Sequence, residues 1–215
     1  MKRAILFDLD GTLLNTLEDL TDSVNYAKVR FGYKENTISD TRRMIGNGIR
    51  SFLEKSVNND LTHIEEISIL FKDYYKDNCN NKTIPYEGII DVLDFLKSKS
   101  IKLGVVSNKA IYATSKLINS HFPGYFDVIV GDGMGLKKKP DIEPIKYACD
   151  KLKVDINDTI YIGDSDVDIK TINNINMDGL IVSYGFREKS ELLKLINVVY
   201  DTPYQLLDKL KELFI

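Results

Sequence analysis

The chain has 215 residues, of which 43% are hydrophobic and 28% charged, and its formal net charge is −3. That length suits one large core, or a core carrying one insertion, and the slight acidity offers no basic excess to attract nucleic acid or an anionic membrane. Two cysteines, Cys79 and Cys149, stand far apart in no Cys-x-x-Cys spacing and argue for neither a disulfide scaffold nor zinc. No stretch approaches the roughly 20 apolar residues of a membrane span. The basic start Met1-Lys2-Arg3 is followed by an apolar run that Asp8 and Asp10 soon break, unlike a secretion signal. A reducing cytoplasm is the expected setting.

In chain order, the first apolar run, Ala4 to Phe7, reads as a buried strand and ends in Asp8-Leu9-Asp10-Gly11-Thr12. Thr16-Leu17-Glu18-Asp19 resembles a capping box that opens a helix. From there to about Lys82 the periodicity is helical with no convincing strand, broken by a turn at Gly46-Asn47-Gly48. Pro85 and Gly88 mark a return to different patterning. Gly88 to Ser98 is apolar at helix spacing through Ile89, Ile90, Val92, Leu93 and Leu96. Strands are expected at Lys102 to Val106, Val128 to Val130, Thr159 to Ile162 and Leu180 to Val182. Helices are expected at Ala110 to Ser120, Glu143 to Leu152, Asp166 to Asn174 and Pro203 to Leu213. Alternating strand and helix predicts an α/β core, a Rossmann-like parallel sheet covered on both faces. The core is expected to comprise residues 1–15 and 84–215, with an inserted all-helical cap domain at 16–83.

Ligands of such sheets bind at the carboxyl ends of the strands. The strand ends here carry Asp8 and Asp10, then Ser107-Asn108-Lys109, then Asp164-Ser165-Asp166-Val167-Asp168, while Lys137-Lys138-Lys139-Pro140 follows the third core strand. Carboxylates gathered on one edge raise one another's pKa unless a cation compensates. A hard divalent ion such as Mg2+ suits oxygen ligands and a phosphate group. Residues two apart on an extended segment point the same way, so Asp8 and Asp10 share a side. With such an ion in place, one aspartate can act as nucleophile on a phosphoryl group and a second can protonate the leaving oxygen and then activate water. Lys139 and Ser107 are placed to hold phosphoryl oxygens. Gly11, without a side chain, lets backbone amides approach a phosphate.

Four motifs carry a family resemblance. "DLDGTLLNT" resembles the first motif of the haloacid dehalogenase (HAD) superfamily, "VVSNK" the second, "KKKPDIEP" the third and "YIGDSDVD" the fourth, in the right order along the whole chain. The helical insert is similar to the cap of the phosphoglycolate phosphatase and β-phosphoglucomutase branch, and "RMIGNGI" resembles the phosphoglycolate phosphatase cap loop. The resemblance implies a Mg2+-dependent phosphatase acting through an aspartyl-phosphate on a small phosphorylated metabolite, with 2-phosphoglycolate the first candidate. Asp8 would be the nucleophile, and Asp10 the acid/base whose backbone carbonyl also touches the metal. Lys139 would stabilise nucleophile and phosphate. Thr12 would hold the motif loop, Ser107 and the Asn108 amide would bind phosphate, and Asp164 would bind Mg2+ with Asp168 beside or behind it. Ile142 stands where the third motif commonly has proline, and "TINNINMDG" replaces a common Ala-Gly pair.

Several residues have structural readings as well. Ser165 to Asp168 fits a capping box, Lys137 and Lys138 a solvated charge run, and His63 and His121 are isolated. Gly48 and Arg50, beside the cap turn with Arg42 and Arg43, are candidate contacts for an anionic substrate; a surface role for the arginines is the alternative. Rival functions are a phosphosugar mutase, a phosphatase for pyrophosphate or a nucleoside monophosphate, and, more remotely, a non-catalytic receiver-like module. Receivers lack a second aspartate in the first-strand motif and an inserted cap. The expected partner is a small phosphorylated metabolite, with no nucleic acid or membrane, and the expected state a monomer or weak homodimer.

Overall fold

The structure, a computed structural model, describes residues 2–214; Met1 and Ile215, the outer ends of the expected core segments, lie outside them. Five strands form one parallel sheet: β1 (Ala4–Phe7), β4 (Lys102–Ala110), β5 (Val128–Asp132), β6 (Thr159–Gly163) and β7 (Asp178–Ile181). Their order is β5-β4-β1-β6-β7, so β1 is central and the chain order reverses beside it. Ala4 is in register with Lys102 on one side and Thr159 on the other, which brings the carboxyl ends of β1, β4 and β6 together.

The aliphatic strand runs exist because both faces of the sheet are covered. Side chains alternate between two cores. Ile5, Phe7, Val105 and Ile160 face one core with α5 (Ile89–Ser98), α6 (Ile111–His121) and α10 (Pro203–Leu213). Leu6, Val106 and Tyr161 face the other with α7 (Glu143–Leu152) and α8 (Asp166–Ile175). The expected core elements are all present. β4 runs on to Ala110 with a break in register after Val106, and β7 begins two residues earlier than the apolar run suggested. A short helix, α9 (Lys189–Leu192), precedes α10.

Between the first two core strands the chain forms α1 (Leu17–Lys28), α2 (Ile38–Met44), α3 (Ile49–Ser56) and α4 (Ile64–Asn78). These helices bury their own apolar stripe, including Leu20, Val24, Phe52, Leu53, Ile67 and Phe71. The segment leaves and rejoins the core through an antiparallel ribbon of β2 (Leu14–Asn15) and β3 (Ile84–Pro85), paired Leu14 to Pro85 and Asn15 to Ile84. Two-residue strands are too short to leave a periodic signal, so this ribbon was not expected.

The capping box expected at Thr16 does not form. Thr16 makes no side-chain cap to α1; its hydroxyl donates instead to Asp10 Oδ1 at 2.7 Å. Asp19 is also diverted: its carboxylate accepts from the Lys82 and Thr83 amides and the Thr83 hydroxyl, joining the start of the helical segment to its end. Charge-assisted bonds to tertiary partners have displaced the local cap.

Candidate active site

β1 ends by delivering Asp8 to the sheet edge. The Leu9 amide donates to Asp8 Oδ1 at 2.7 Å, and Lys139 Nζ lies 3.1 Å from the same oxygen. Asp8 Oδ2 carries no protein donor among the described residues. Lys139, almost fully buried, also donates to Asp168 Oδ1 at 2.8 Å and to the Tyr161 hydroxyl at 2.6 Å. Its loop is held to β4 by Asn108, whose Oδ1 accepts from the Lys139 amide at 2.8 Å and whose Nδ2 donates to the Lys139 carbonyl at 2.9 Å.

The carboxylates of Asp8, Asp164 and Asp168 gather so that one oxygen from each lies within 4.8 Å of the others, and all three residues are buried. Burial pushes Asp8 up to about 6; Asp168 and Asp10 add to the rise while Lys139 and the Leu9 amide oppose it. Asp164 is driven well above the usual carboxylate range by burial, then by Asp168 and Asp8. Burial works against the Lys139 charge, but Asp168 and Asp8 hold its pKa above the ordinary value. The cluster is thus short of positive charge, and its donors are all oxygen, which fits a hard divalent cation.

Asp168 is a weaker ligand than its position suggests. Its Oδ1 accepts from Lys139 and Tyr161, and its Oδ2 from the Ser165 amide and hydroxyl. A carboxylate has about four acceptor positions, so direct ligation would displace a protein donor. The Ser165–Asp168 capping box is fully formed at the start of α8. Asp168 is therefore placed to hold Lys139 and start a helix, leaving Asp8 and Asp164 with the open oxygens.

Gly11 is needed for a reason other than the one expected. Its amide donates to the Leu14 carbonyl at 2.9 Å and is not free for a phosphate. Its φ is +85°, and a Cβ there would sit 2.1 Å from Asp164 Oδ2. Glycine permits the turn and the approach of Asp164. Thr12 is fully buried; its hydroxyl has no partner, while its carbonyl accepts from the Tyr184 hydroxyl at 3.0 Å. Its side chain makes no hydrogen bond that would hold the loop, and it does not line the cavity.

The cavity above these residues measures about 60 Å³ and lies between the sheet edge and the helical segment. Asp8, Asp10, Ser107, Asn108 and Asp164 line its floor. Gly48 and the apolar side chains Leu20, Ile45, Ile49 and Phe52 line its roof. Arg50 is not among the lining residues. It is half-exposed and pairs with Glu54 at 2.6 Å and with Glu65, so the structure does not bring it to the site. On α3 it stands outside the apolar stripe, where local acidic partners claim it.

Lys109 and Arg187 connect to the site without having been assigned to it from the sequence, and Arg42, weighed there as a substrate contact, binds core carbonyls instead. Lys109 Nζ pairs with Asp10 at 2.9 Å and is almost fully buried. Arg42 in α2 donates to the core carbonyls of Phe186 at 3.0 Å and Gly185 at 2.8 Å. Arg187 answers from the core, donating to the carbonyls of Ile45 at 2.7 Å and Arg42 at 3.4 Å. The Phe186 amide donates to Asp164 Oδ2 at 2.6 Å, so this clasp is continuous with the acidic cluster. Lys109 was visible in "VVSNK" as a cation at a strand end; the arginine clasp spans more than 140 positions and has no local signal.

Residues 5–182 match the family described as haloacid dehalogenase-like hydrolase. The chain belongs to this family. It is 31% identical to a phosphoglycolate phosphatase of Psychrobacter arcticus over 90% of this chain and 89% of that protein. A phosphoglycolate phosphatase of Aquifex aeolicus is 32% identical over 86% of each. Among solved structures, a phosphoglycolate phosphatase candidate from Lactobacillus delbrueckii superposes with a TM-score of 0.90 at 34% identity, covering 97% of this chain and 98% of that one. The haloacid dehalogenase-like chain is a phosphoric monoester hydrolase. No helix among its described residues is long and apolar enough to cross a membrane.

Proposed function

We propose that this phosphatase hydrolyses a small phosphate monoester through Asp8, with Mg2+ held by Asp8 and Asp164 and assisted by the Asp10 carbonyl, and that 2-phosphoglycolate is its first candidate substrate. The carrying observation is that Asp8, Asp10, Ser107 and Asp164 border one cavity closed by the helical segment. Mg2+ would supply charge neutralisation between the carboxylates and the phosphoryl oxygens.

Asp8 attacks phosphorus, forming the bond from its carboxylate oxygen as the bond to the leaving oxygen breaks. Lys139 steadies the carboxylate before attack and the phosphoryl charge after it. The side chain of Ser107 and the Asn108 amide hold equatorial oxygens. Asp10 gives a proton to the leaving oxygen and then takes one from the water that attacks the phospho-aspartate, returning Asp8 to its first state. Asp10 is held by Thr16 and Lys109, so it must turn from them to act. Residues 16–83 work as a cap hinged at the β2–β3 ribbon, and closure excludes bulk water.

The cavity size supports a small substrate. About 60 Å³ is far below the roughly 300–1,000 Å³ of pockets for drug-sized ligands, which disfavours a nucleotide. The two curated relatives act on phosphoglycolate by name. The protein is read as cytoplasmic and as a monomer or weak homodimer.

Phosphate release across a panel of phosphorylated metabolites, with and without Mg2+, tests the proposal. Fastest release from small monoesters is expected, with a loss on the order of 10⁴-fold in Asp8→Asn. Near wild-type turnover by that variant would remove Asp8 as nucleophile.

A further inference from the structure

Lys109 is a buried cation paired with Asp10, and the steps above leave it without a partner once Asp10 turns away. Its side chain is 4% exposed, and Nζ reaches both oxygens of Asp10, at 2.9 and 3.2 Å. No other acceptor among the described residues reaches it, although an ammonium has three donors. The ring of Tyr75, from the cap helix α4, lies with its centroid 4.8 Å from Nζ. Tyr75 lines the same cavity, and its buried hydroxyl has no hydrogen-bond partner. A buried hydroxyl without a partner is unfavourable, and a ligand that accepts from it would remove that cost.

The remaining cations near the cavity are committed elsewhere. Arg187, which also lines the cavity, is held by bonds from three of its five donors to Ile45, Arg42 and Asp166. Lys139 sits beneath the floor against Asp8 and Asp168. Beyond Lys109 the roof is apolar, formed by Leu20, Ile49 and Phe52. When Asp10 turns to the leaving oxygen, Lys109 is left as an uncompensated charge in a largely apolar enclosure, which is costly.

We infer that Lys109 and the Tyr75 hydroxyl form a subsite for a second anionic group of the substrate, a carboxylate whose carbon is two bonds from the ester oxygen. This rests on the phosphatase reading. Asp10 marks where the leaving oxygen lies, and Lys109 touches Asp10, so a group close to that oxygen meets the ammonium. A group further out meets the apolar roof. The substrate carboxylate replaces Asp10 as the partner of Lys109, with Tyr75 as a second donor, and Asp10 becomes free to move. Specificity and release of the acid/base are then one exchange of ion pairs. Phosphorylated 2-hydroxy acids have this shape, and neutral alkyl phosphates do not.

The test compares 2-phosphoglycolate with ethyl phosphate, in which a methyl group replaces the carboxylate. Wild type is expected to favour 2-phosphoglycolate by about 100-fold or more in kcat/KM, as sites built to pair a polar group reject analogues lacking it. Lys109→Met should collapse that ratio to a few-fold, Lys109→Arg should restore much of it, and Tyr75→Phe should lower it several-fold. Equal loss on both esters in Lys109→Met would assign Lys109 to Asp10 alone and overturn the subsite. Calorimetric binding of both esters to Asp8→Asn reads the same discrimination without turnover. Equal affinities there, with wild type still releasing phosphate from an aryl ester, would sink the subsite and leave the phosphatase reading standing. Selective binding of 2-phosphoglycolate that depends on Lys109, with no phosphate released from any ester, would support the subsite and count against the phosphatase reading.

Discussion

The floor and the roof of the cavity are built on different principles. The floor is a set of charges fixed by short sequence segments on adjacent parallel strands, where Lys139 joins Asp8 to Asp168 and Asn108 ties the Lys139 loop to β4. The roof is an apolar helical surface, attached through a two-residue ribbon on one side and an arginine clasp on the other. On the proposed function, chemistry needs a rigid constellation and admission of substrate a movable cover, and the charged floor and the apolar roof would meet the two demands separately.

The largest effect that would sharpen this contrast lies in the floor. Lys139→Met removes the cation that both Asp8 and Asp168 contact. Activity is expected to fall by about 10³-fold, and the metal-free protein to lose on the order of 3–5 kcal/mol in denaturant unfolding, as buried pairs do when one partner is deleted. A loss of activity without loss of stability would mean that the carboxylates relax in its absence.

Arg42→Ala breaks the roof instead. Loss of its two bonds to the core carbonyls should lower kcat/KM by about 10-fold, the scale of one or two charge-assisted bonds. Amide exchange should rise at residues 41–46 and 185–188, and global stability should change little. Unaltered exchange there would show that the clasp does not hold the cap.

The acidic cluster also predicts a pH signature. The folded carboxyl of Asp8, raised to about 6 from its ordinary 3.8, holds its proton to higher pH than the unfolded one. The folded state therefore binds more protons in that interval, and stability from this group is lost as pH rises from about 4 to 6. The thermal midpoint of metal-free wild type, measured relative to Asp8→Asn, should fall across that window, and the stabilisation by added Mg2+ should grow. A flat difference would mean that another charge already neutralises Asp8. The smallest effect belongs to Arg50→Ala, an exposed residue paired only within the cap. Stability within about 0.5 kcal/mol of wild type and unchanged kinetics are expected. A larger kinetic defect than that of Arg42→Ala would reverse the ranking of the two arginines.

Much of the floor was legible in the sequence because its determinants are local. Asp8 and Asp10 sit two apart at a strand end, and Ser165 and Asp168 three apart at a helix start, so chain geometry alone nearly fixes their directions. The roof was harder to read. A helical segment was evident from periodicity, yet Arg42 and Arg50 are equivalent in composition and differ only in what lies across the interface. Thr16 shows the same limit at closer range: its spacing to Asp19 fits a cap, but Asp10 and Thr83 claimed the two side chains.

By itself, the sequence determined the alternation of buried strands and helices, the inserted helical segment, and which strand ends bear carboxylates, lysines and hydroxyls. Burial on both sheet faces and the periods of strand and helix, about 2 and about 3.6 residues, impose those features on any neighbouring stretch of chain. Only the tertiary structure decided that Lys109 pairs with Asp10, that Asp168 spends its oxygens on Lys139, Tyr161 and Ser165, and that the Gly11 amide is used within its own turn. Each of these is a choice among competing partners of similar chemistry, and distance in the folded molecule, steep in its effect on electrostatic energy at low dielectric, makes that choice.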